Sequence, residues 1–309
     1  MTKLKVNARS MFVMAAIAIS TSAVSSAQYD FVTFKVPGST STSVSGISNN
    51  NQISGSYETA SGDIYGYTHN LTTGVWVYPI SDPKGPTYTY ANSSNTAGTV
   101  VGYYWTPPGR NNAMFDQFGT FTDVTQSGCT VNTVVTGIND SGTMTGYCEY
   151  SGANGVLQTM AWENGPTNVT FSCFDSPFTM ASAVNNWLLT VGSFSQSGGQ
   201  VTTGFIATDQ GTCTAVNYPN SANTVLGGVN DLGAITGTYW LTENGKSNGF
   251  ILNGSTYTTV NVPGTKATSL GQINNNGWFV GSYVDRRNRL HAFYATPISG
   301  ASRLIDPGN

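Results

Sequence analysis

The sequence predicts an all-β fold, specifically a six-bladed β-propeller made of four-stranded antiparallel blades. The first observation is a recurring phrase of the form Gly-Ile-Asn-x-x-Gly-x-x-x-Gly-x-Tyr. The glycine that closes each copy falls at Gly55, Gly102, Gly146, Gly192, Gly237 and Gly281, about 44 to 47 residues apart. A period of this length is typical of a propeller blade with four strands.

The second observation is the pattern inside one unit, which we follow from Val225 to Pro263. Four short apolar runs alternate with polar turns such as Asn230–Gly233, where Asn and Asp favour a turn and Gly accepts a positive φ. Pro263 ends the fourth run because proline cannot continue a hydrogen-bonded ladder. Only 9% of the residues are charged, and Gly, Ser, Thr and Asn replace them, which suits strands and tight turns.

The third observation is an extra copy of the fourth strand at each end of the chain, Phe31–Val36 and Arg303–Asp306. A propeller closes its ring when one terminus adds a strand to the blade built by the other, and either copy could do so. An open repeat array is the alternative, which we disfavour because the terminal units lack polar caps. We therefore predict one domain, residues 28–309, with six repeats of about 45 residues.

Residues 1–27 have the features of a secretory signal peptide. Basic residues precede an apolar run from Met11 to Ile19, and small residues lead to a cleavage site that we place after Ala27. We therefore predict a secreted or periplasmic protein, without membrane insertion because no second run is long enough to span a bilayer. The net charge of −3 argues against nucleic acid as a partner, and we expect a monomer.

The four cysteines all follow the predicted cleavage site. An even number of cysteines in an exported chain favours two disulfides. Cys129 and Cys148 lie near neighbouring strands of one unit, so their pairing is geometrically possible. Cys173 and Cys213 lie near strand ends of successive units and need not meet. The connectivity stays open at this point.

The repeat resembles that of the bacterial extracellular proteins of the HAF family. His291-Ala292-Phe293 is the tripeptide itself, and Val36-Pro37-Gly38 and Val262-Pro263-Gly264 match the end of the repeat's fourth strand. The resemblance covers essentially the whole mature chain, although the second and fourth units depart from the repeat. It implies an exported, propeller-like protein without an assigned activity, so it supplies no catalytic residues.

Few residues carry a signal for catalysis or for a cofactor, and we predict neither a cofactor nor a metal. His69 and His291 are the only histidines, and with Asp63 or Asp285 they could hold a metal if ring closure brings them together. We instead interpret both as ordinary packing or polar residues. The Asn-Asp-x-Gly turns lack the alternating Asp and the closing Glu of a calcium loop, so we interpret them as turns.

The loops after the second strand of each unit are the predicted binding face, because they emerge on one side of the disc. They carry aromatic rings beside polar and charged groups, a combination that suits sugar or peptide binding. The candidate ligand-binding residues are Tyr104, Trp105, Glu149, Trp240, Glu243, Asp285, Arg286, Arg287 and Arg289. We interpret the repeated Tyr57, Tyr239 and Tyr283 as packing residues. Arginines near Trp240 would favour an acidic sugar or a carboxylate-bearing peptide.

The function predicted from the sequence is that of an exported, non-catalytic binding or scaffold propeller, contacting glycan or protein through one loop face. The alternative is a polysaccharide-acting enzyme, a glycoside hydrolase or lyase, with its site at the mouth of the central channel. A pair of carboxylates converging on one bond would favour the enzyme.

Overall fold

A computed structural model describes residues 28–298, apart from residues 108, 153–154, 167, 197–200 and 209–210. The predicted signal peptide and the C-terminal copy at Arg303–Asp306 lie outside these described residues. The described chain contains strands and turns, with a 3₁₀ helix at Cys173–Asp175. None of its helices is long and apolar enough to cross a membrane.

In the described residues, twenty-four strands form units of four, in which each strand pairs antiparallel with its neighbours in the unit. The first strands are β2 (Ser41–Ile47), β6 (Thr89–Ser94), β10 (Asn132–Ile138), β14 (Phe178–Val184), β18 (Asn223–Val229) and β22 (Ala267–Ile273). The second strands are β3 (Gln52–Glu58), β7 (Val100–Thr106), β11 (Met144–Ser151), β15 (Thr190–Ser195), β19 (Ile235–Trp240) and β23 (Phe279–Val284). The third strands are β4 (Ile64–Asn70), β8 (Arg110–Gln117), β12 (Leu157–Asn164), β16 (Thr203–Ala207), β20 (Ser247–Asn253) and β24 (Leu290–Pro297). The fourth strands are β5 (Trp76–Ile80), β9 (Thr120–Asp123), β13 (Asn168–Phe171), β17 (Cys213–Val216), β21 (Thr256–Val260) and β1 (Tyr29–Phe34).

These units follow one another around a ring. Each first strand contacts the first strand of the next unit, and β22 of the last unit contacts β2 of the first. The third and fourth units also share one parallel residue pair, Thr159 with Phe178. The predicted all-β propeller of four-stranded antiparallel sheets is therefore confirmed.

The N-terminal strand completes the last unit. β1 pairs antiparallel with β24 in a register that runs from Tyr29 opposite Pro297 to Phe34 opposite Ala292. Of the two terminal copies left open by the sequence, the N-terminal one thus occupies the position of the fourth strand. Phe31 of this strand packs edge-on against Phe293, with ring centroids 5.5 Å apart.

A series of hydrogen bonds joins the turns that follow the first strands, from the second unit through the sixth and back to the first. The amide of the turn's first asparagine donates to the backbone oxygen of the corresponding residue in the next unit. Asn139 donates to Asn185 at 2.9 Å, and Asn274 of the last unit donates to Ser48 of the first at 3.0 Å. The next residue of the turn repeats the connection in the second to sixth units; the backbone N–H of Asp231, for example, donates to Asn275 Oδ1 at 2.8 Å. The turn asparagines therefore close the ring at one end of the central channel.

The glycine that closes each repeated phrase has a packing role. A β-carbon on Gly237 would lie 2.5 Å from the ring of Phe250 on the neighbouring third strand, closer than real contacts allow. Phe250 belongs to a set of fully buried third-strand residues, namely Tyr67, Met114, Trp162, Phe205, Phe250 and Phe293. Each unit therefore buries a large side chain against the glycine of the preceding strand, which explains why both recur with the same period.

Two disulfides fix the third and fourth units. Cys129 pairs with Cys148, as the sequence allowed, with a Cα–Cα distance of 5.5 Å. Cys173 pairs with Cys213 at 5.6 Å, so these two cysteines do meet. Cys173 lies in the 3₁₀ helix that follows β13, and it packs in one core cluster with Ala181 and Phe205 of the fourth unit. Two disulfides are consistent with an oxidising compartment.

Candidate functional site

Four aromatic side chains gather on one face of the β6–β7 hairpin. Tyr90 lies opposite Tyr103 in the strand register, and the two rings stack with centroids 4.5 Å apart and an interplanar angle of 9°. Trp105 meets Tyr88 edge-on at 5.3 Å. Together with Asn111 of β8, these residues line a cavity of about 300 Å³, which we call the tyrosine pocket.

Strand alternation explains why these four side chains point the same way. Tyr88, Tyr90, Tyr103 and Trp105 are separated by single residues along each strand, so they share a face of the hairpin. Tyr104 lies between two of them and points to the other face. It is only 3% exposed, and its hydroxyl donates to Asp123 Oδ1 at 2.9 Å. Of the adjacent candidates, Trp105 thus lines the pocket and Tyr104 lies in the core.

A second cavity, of about 430 Å³, opens at the adjoining mouth of the central channel. First-strand residues of several units line its wall, and Tyr103 belongs both to this cavity and to the tyrosine pocket. Tyr147 of the next unit also lines it. Tyr103 and Tyr147 follow the closing glycine of their phrases, where the other units carry Ser56, Ser193, Thr238 and Ser282. The aromatic wall is therefore confined to the second and third units.

Gln272 forms the floor of this channel mouth. The corresponding positions of the other units hold the small residues Gly46, Ser93, Gly137, Ala183 and Gly228. Gln272 reaches across the channel, where its Oε1 accepts from Ser93 Oγ at 2.9 Å and its Nε2 donates to the backbone oxygen of Thr136 at 3.1 Å. It also lines a smaller cavity, about 50 Å³, inside the ring of turn asparagines. Gln272 thus separates the two ends of the channel.

The phenols of Tyr90 and Tyr103 remain neutral at physiological pH. Burial raises the pKa of Tyr103, and the neighbouring phenols of Tyr90 and Tyr147 raise it further. Burial likewise raises the pKa of Tyr90, with smaller contributions from Tyr88 and from the carboxylate of Glu58. Neutral phenols both donate and accept hydrogen bonds, so this surface can bind hydroxyl groups as well as stack against a flat ligand.

The predicted arginine loop lies on another unit, and within it Asp285 pairs with Arg289. Asp285 accepts from Arg289 Nε at 2.8 Å and from His291 Nε2 at 3.1 Å. The backbone N–H of Arg289, followed by the side chains of His291 and Arg289, lowers the pKa of the Asp285 carboxyl well below its usual range. Arg286 donates through Nε to the backbone oxygen of Gly264 at 3.2 Å, whereas the backbone of Arg287 donates to Asp285.

The remaining candidates lie apart from one another. Trp240 is half-buried at the end of β19, and Glu243 is exposed in the following turn. Glu149 is half-buried on β11 and accepts a hydrogen bond from Asn132. Its carboxylate also raises the pKa of Tyr147, after burial, so Glu149 flanks the channel mouth beside the aromatic wall.

The two histidines have separate local partners. His69 stacks on Trp76 with ring centroids 3.9 Å apart, and its Nδ1 lies 3.2 Å from the backbone oxygen of Val75. His291 stacks on Tyr283 in the last unit, beside Asp285. Within the described ranges, no three His, Cys, Asp or Glu side chains form a group that could hold a metal ion.

The repeated tyrosines pack as predicted for Tyr57 and Tyr239, which are 8% and 6% exposed. Four residues of the site were not predicted from the sequence, namely Tyr88, Tyr90, Asn111 and Gln272. Tyr88 and Tyr90 could have been predicted from the sequence. Tyr88-Thr-Tyr90 and Tyr103-Tyr-Trp105 have the alternation that puts aromatic residues of paired strands on one face.

Comparisons with known proteins support the fold. No protein-family model matches the chain, and no curated protein matches it. Among solved structures, a triple arginine-to-alanine mutant of AofleA from Arthrobotrys oligospora has a TM-score of 0.50 at 14% identity, covering 86% of each chain.

Two further structures have lower scores. A mutant of Aleuria aurantia lectin in complex with Fucalpha1-6GlcNAc has a TM-score of 0.48 at 10% identity, covering 82% of this chain and 91% of the lectin. A polysaccharide lyase described as an ulvan lyase has a TM-score of 0.40 at 12% sequence identity, covering 85% of this chain and 84% of the lyase. At these identities the likeness concerns the fold alone. The class defined by the fold and the site is a β-propeller with a concave, aromatic-lined surface at one mouth of its channel.

Proposed function

We propose that this protein is an exported, non-catalytic propeller that binds glycans at the tyrosine pocket and the adjoining channel mouth. The observation that carries the proposal is the stacked pair Tyr90–Tyr103 beside Trp105, half-buried around a cavity of about 300 Å³. A sugar ring presents apolar C–H faces that stack on aromatic rings, and its hydroxyl groups require nearby polar partners. This pocket supplies both.

The shape of the surface favours a glycan over a folded protein as the ligand. The aromatic side chains line a concave pocket that continues into a cavity of about 430 Å³, whereas protein–protein interfaces are broad and mostly flat. Small polar residues such as Ser45, Ser269 and Ser282 line the channel mouth beside Tyr103. An elongated oligosaccharide could stack one ring in the tyrosine pocket and direct the next residues toward the channel.

The proposed location outside the cytoplasm is supported by the two disulfides and by the basic and apolar pattern of residues 1–27. The repeat itself supports the further proposal that the chain belongs with exported repeat proteins of the HAF type. Secretion and residence in a periplasm are both compatible with these observations.

A glycan array followed by calorimetry on the selected oligosaccharide tests the proposal. Replacing Trp105 by Ala should weaken binding about tenfold or more, because a half-buried aromatic anchor at the centre of a binding site typically contributes more than 1 kcal/mol. Trp187→Ala is the matched control, since Trp187 is 76% exposed in a turn of the opposite face and should have no effect. Unchanged affinity in Trp105→Ala, or a failure of the mature protein to bind any glycan, would refute the proposal.

The same complexes separate binding from catalysis. Incubating the protein with its selected glycan should leave the chain length unchanged, measured as new reducing ends for a hydrolase and as ultraviolet absorbance of unsaturated products for a lyase. Time-dependent product that disappears in Trp105→Ala would replace the binding proposal by the enzymatic one.

A further inference from the structure

A third cavity, of about 210 Å³, adjoins the tyrosine pocket between the second and third units. Asn111 lines both cavities, so a ligand that occupies one is next to the other. The third cavity is lined by Arg110 and Asn112 of β8 and by the segment that leads from β9 toward β10, including Gln126. This region has no part in the stacking surface described above.

Arg110 supplies an available positive charge at this cavity. Its side chain is exposed, and it forms no salt bridge with any carboxylate among the described residues. Asp123 is the acidic residue that lines the same cavity, but it is already engaged. Its Oδ2 accepts from Lys84 Nζ at 2.6 Å and its Oδ1 accepts from the hydroxyl of Tyr104.

The pKa of Asp123 shows that this carboxyl is ionised and already paired. Burial by itself would raise the pKa of the Asp123 carboxyl, but the hydrogen bonds from Lys84 and Tyr104 outweigh burial and lower it. Asp123 is therefore an ionised carboxylate that is neutralised by Lys84. The guanidinium of Arg110 is left as the uncompensated charge of the cavity.

Gln126 supplies a second, independent donor. It is 7% exposed, and its Nε2 is buried without a hydrogen-bond partner among the described residues. A buried amide N–H without a partner is costly, and such groups are normally bound to protein, water or ligand. The segment is held in place, because the backbone N–H of Cys129 donates to the backbone oxygen of Gln126 at 3.3 Å and Cys129 is bonded to Cys148.

We propose that this cavity is a subsite for the carboxylate of an acidic sugar, bound by Arg110 and Gln126 while the glycan occupies the tyrosine pocket. A guanidinium has planar N–H donors that match the two oxygens of a carboxylate, and the amide of Gln126 adds a donor at the buried end. The ligand class is thus a glycan that contains uronic acid. This inference rests on the proposed function, since the stacked ring positions the carboxylate.

The test uses pairs of oligosaccharides that differ only in charge. Oligomers of galacturonic, glucuronic and mannuronic acid are compared by calorimetry with their carboxyl-reduced counterparts, using the mature protein. At least one acidic oligomer should bind about tenfold more tightly than its reduced counterpart, as expected for a charge-assisted hydrogen bond. Added salt should reduce this difference, because it screens the exposed charge of Arg110.

Arg110→Gln and Gln126→Met should each reduce the preference for the acidic oligomer and leave the affinity for the reduced one unchanged. Arg287→Gln is the matched control, because Arg287 is an exposed arginine on another unit and should retain the full preference. A melting curve checks the fold of Gln126→Met. If that variant is unfolded, the surface variant Arg110→Gln decides the question by itself.

The outcomes separate the two proposals. If reduced oligomers bind in a manner that depends on Trp105 but no acidic oligomer binds better, the subsite is refuted and the glycan-binding function stands. A preference that survives in Arg110→Gln also refutes the subsite. If neither the acidic nor the reduced oligomers bind, both proposals fail.

Discussion

Ring closure by the N-terminal strand can be tested with one side chain of β1. Phe31 points toward the core of the last unit, where it packs edge-on against Phe293 at 5.5 Å and against Phe279 at 6.4 Å. Replacing Phe31 by Ala removes these contacts and weakens the packing that supports the pairing of β1 with β24. The closure of the propeller should therefore depend on this side chain more than on the adjacent, exposed Val32.

The magnitude follows from burial. Removing a fully buried Phe side chain costs about 3–5 kcal/mol, and Phe31 is half-buried, so we expect a loss of about 2 kcal/mol in the free energy of unfolding. For a domain of this size, one kcal/mol shifts the melting temperature by about 2–4 °C. Phe31→Ala should therefore lower the melting temperature by about 4–8 °C.

Val32→Ala is the matched control, because Val32 is 40% exposed on the other face of the same strand. It should change stability by less than about 0.5 kcal/mol. Circular dichroism gives the melting temperatures, and hydrogen exchange should show faster exchange across β24 only in Phe31→Ala. Equal melting of the two variants, or unchanged exchange in β24, would refute closure by β1.

Three further predictions concern the disulfides, a histidine and the floor of the channel. In denaturant unfolding, Cys173→Ser should lower the free energy of unfolding by about 4 kcal/mol and Cys129→Ser by about 3 kcal/mol. The difference arises because the Cys173–Cys213 bridge spans 40 residues and the Cys129–Cys148 bridge spans 19. A smaller loss for the longer loop would contradict this order. His69 has a lowered pKa because burial disfavours its charged form, so stability should be lost as the pH falls through the ordinary value of about 6.5, and His69→Phe should remove this loss. NMR titration of His69 checks the direction, and a pKa above the ordinary value would show that the sign is wrong. Gln272→Ala should lower the free energy of unfolding by about 1–3 kcal/mol, because one buried and one partly buried hydrogen bond across the channel are lost. Urea unfolding with an unchanged midpoint would show that Gln272 does not bridge the units.

The sequence determined the repeat and, with it, most of the fold. The closing glycine and the large third-strand residue recur because every unit has to bury the same pair, as Gly237 and Phe250 do. A packing requirement of this kind acts within one unit, so its period is visible in a single sequence. This period predicted the four-stranded units and the burial of Tyr57 and Tyr239.

The residues of the proposed binding site could be predicted only in part from the sequence. Trp105 was predicted to bind a ligand as an aromatic residue after a second strand, and it does line the pocket. Tyr104 was selected from the same run, but strand alternation turns it into the core. The stronger signal was the pair Tyr103 and Tyr147, which replace Ser or Thr at one position of the repeat. Aligning the units by position would have identified this pair without a structure.

The tertiary structure alone decided how residues from distant units meet. The sequence contains two copies of the fourth strand, and only the ring shows that β1 pairs with β24. It contains four cysteines, and only the folded chain shows that Cys173 pairs with Cys213. Gln272 was one unremarked residue of a repeat, yet it closes the channel by bonding to Ser93 and Thr136. The physical reason is the same in all three cases. Local periodicity determines which residues form strands and which of their side chains are buried, whereas the closure of the ring determines which strands become neighbours.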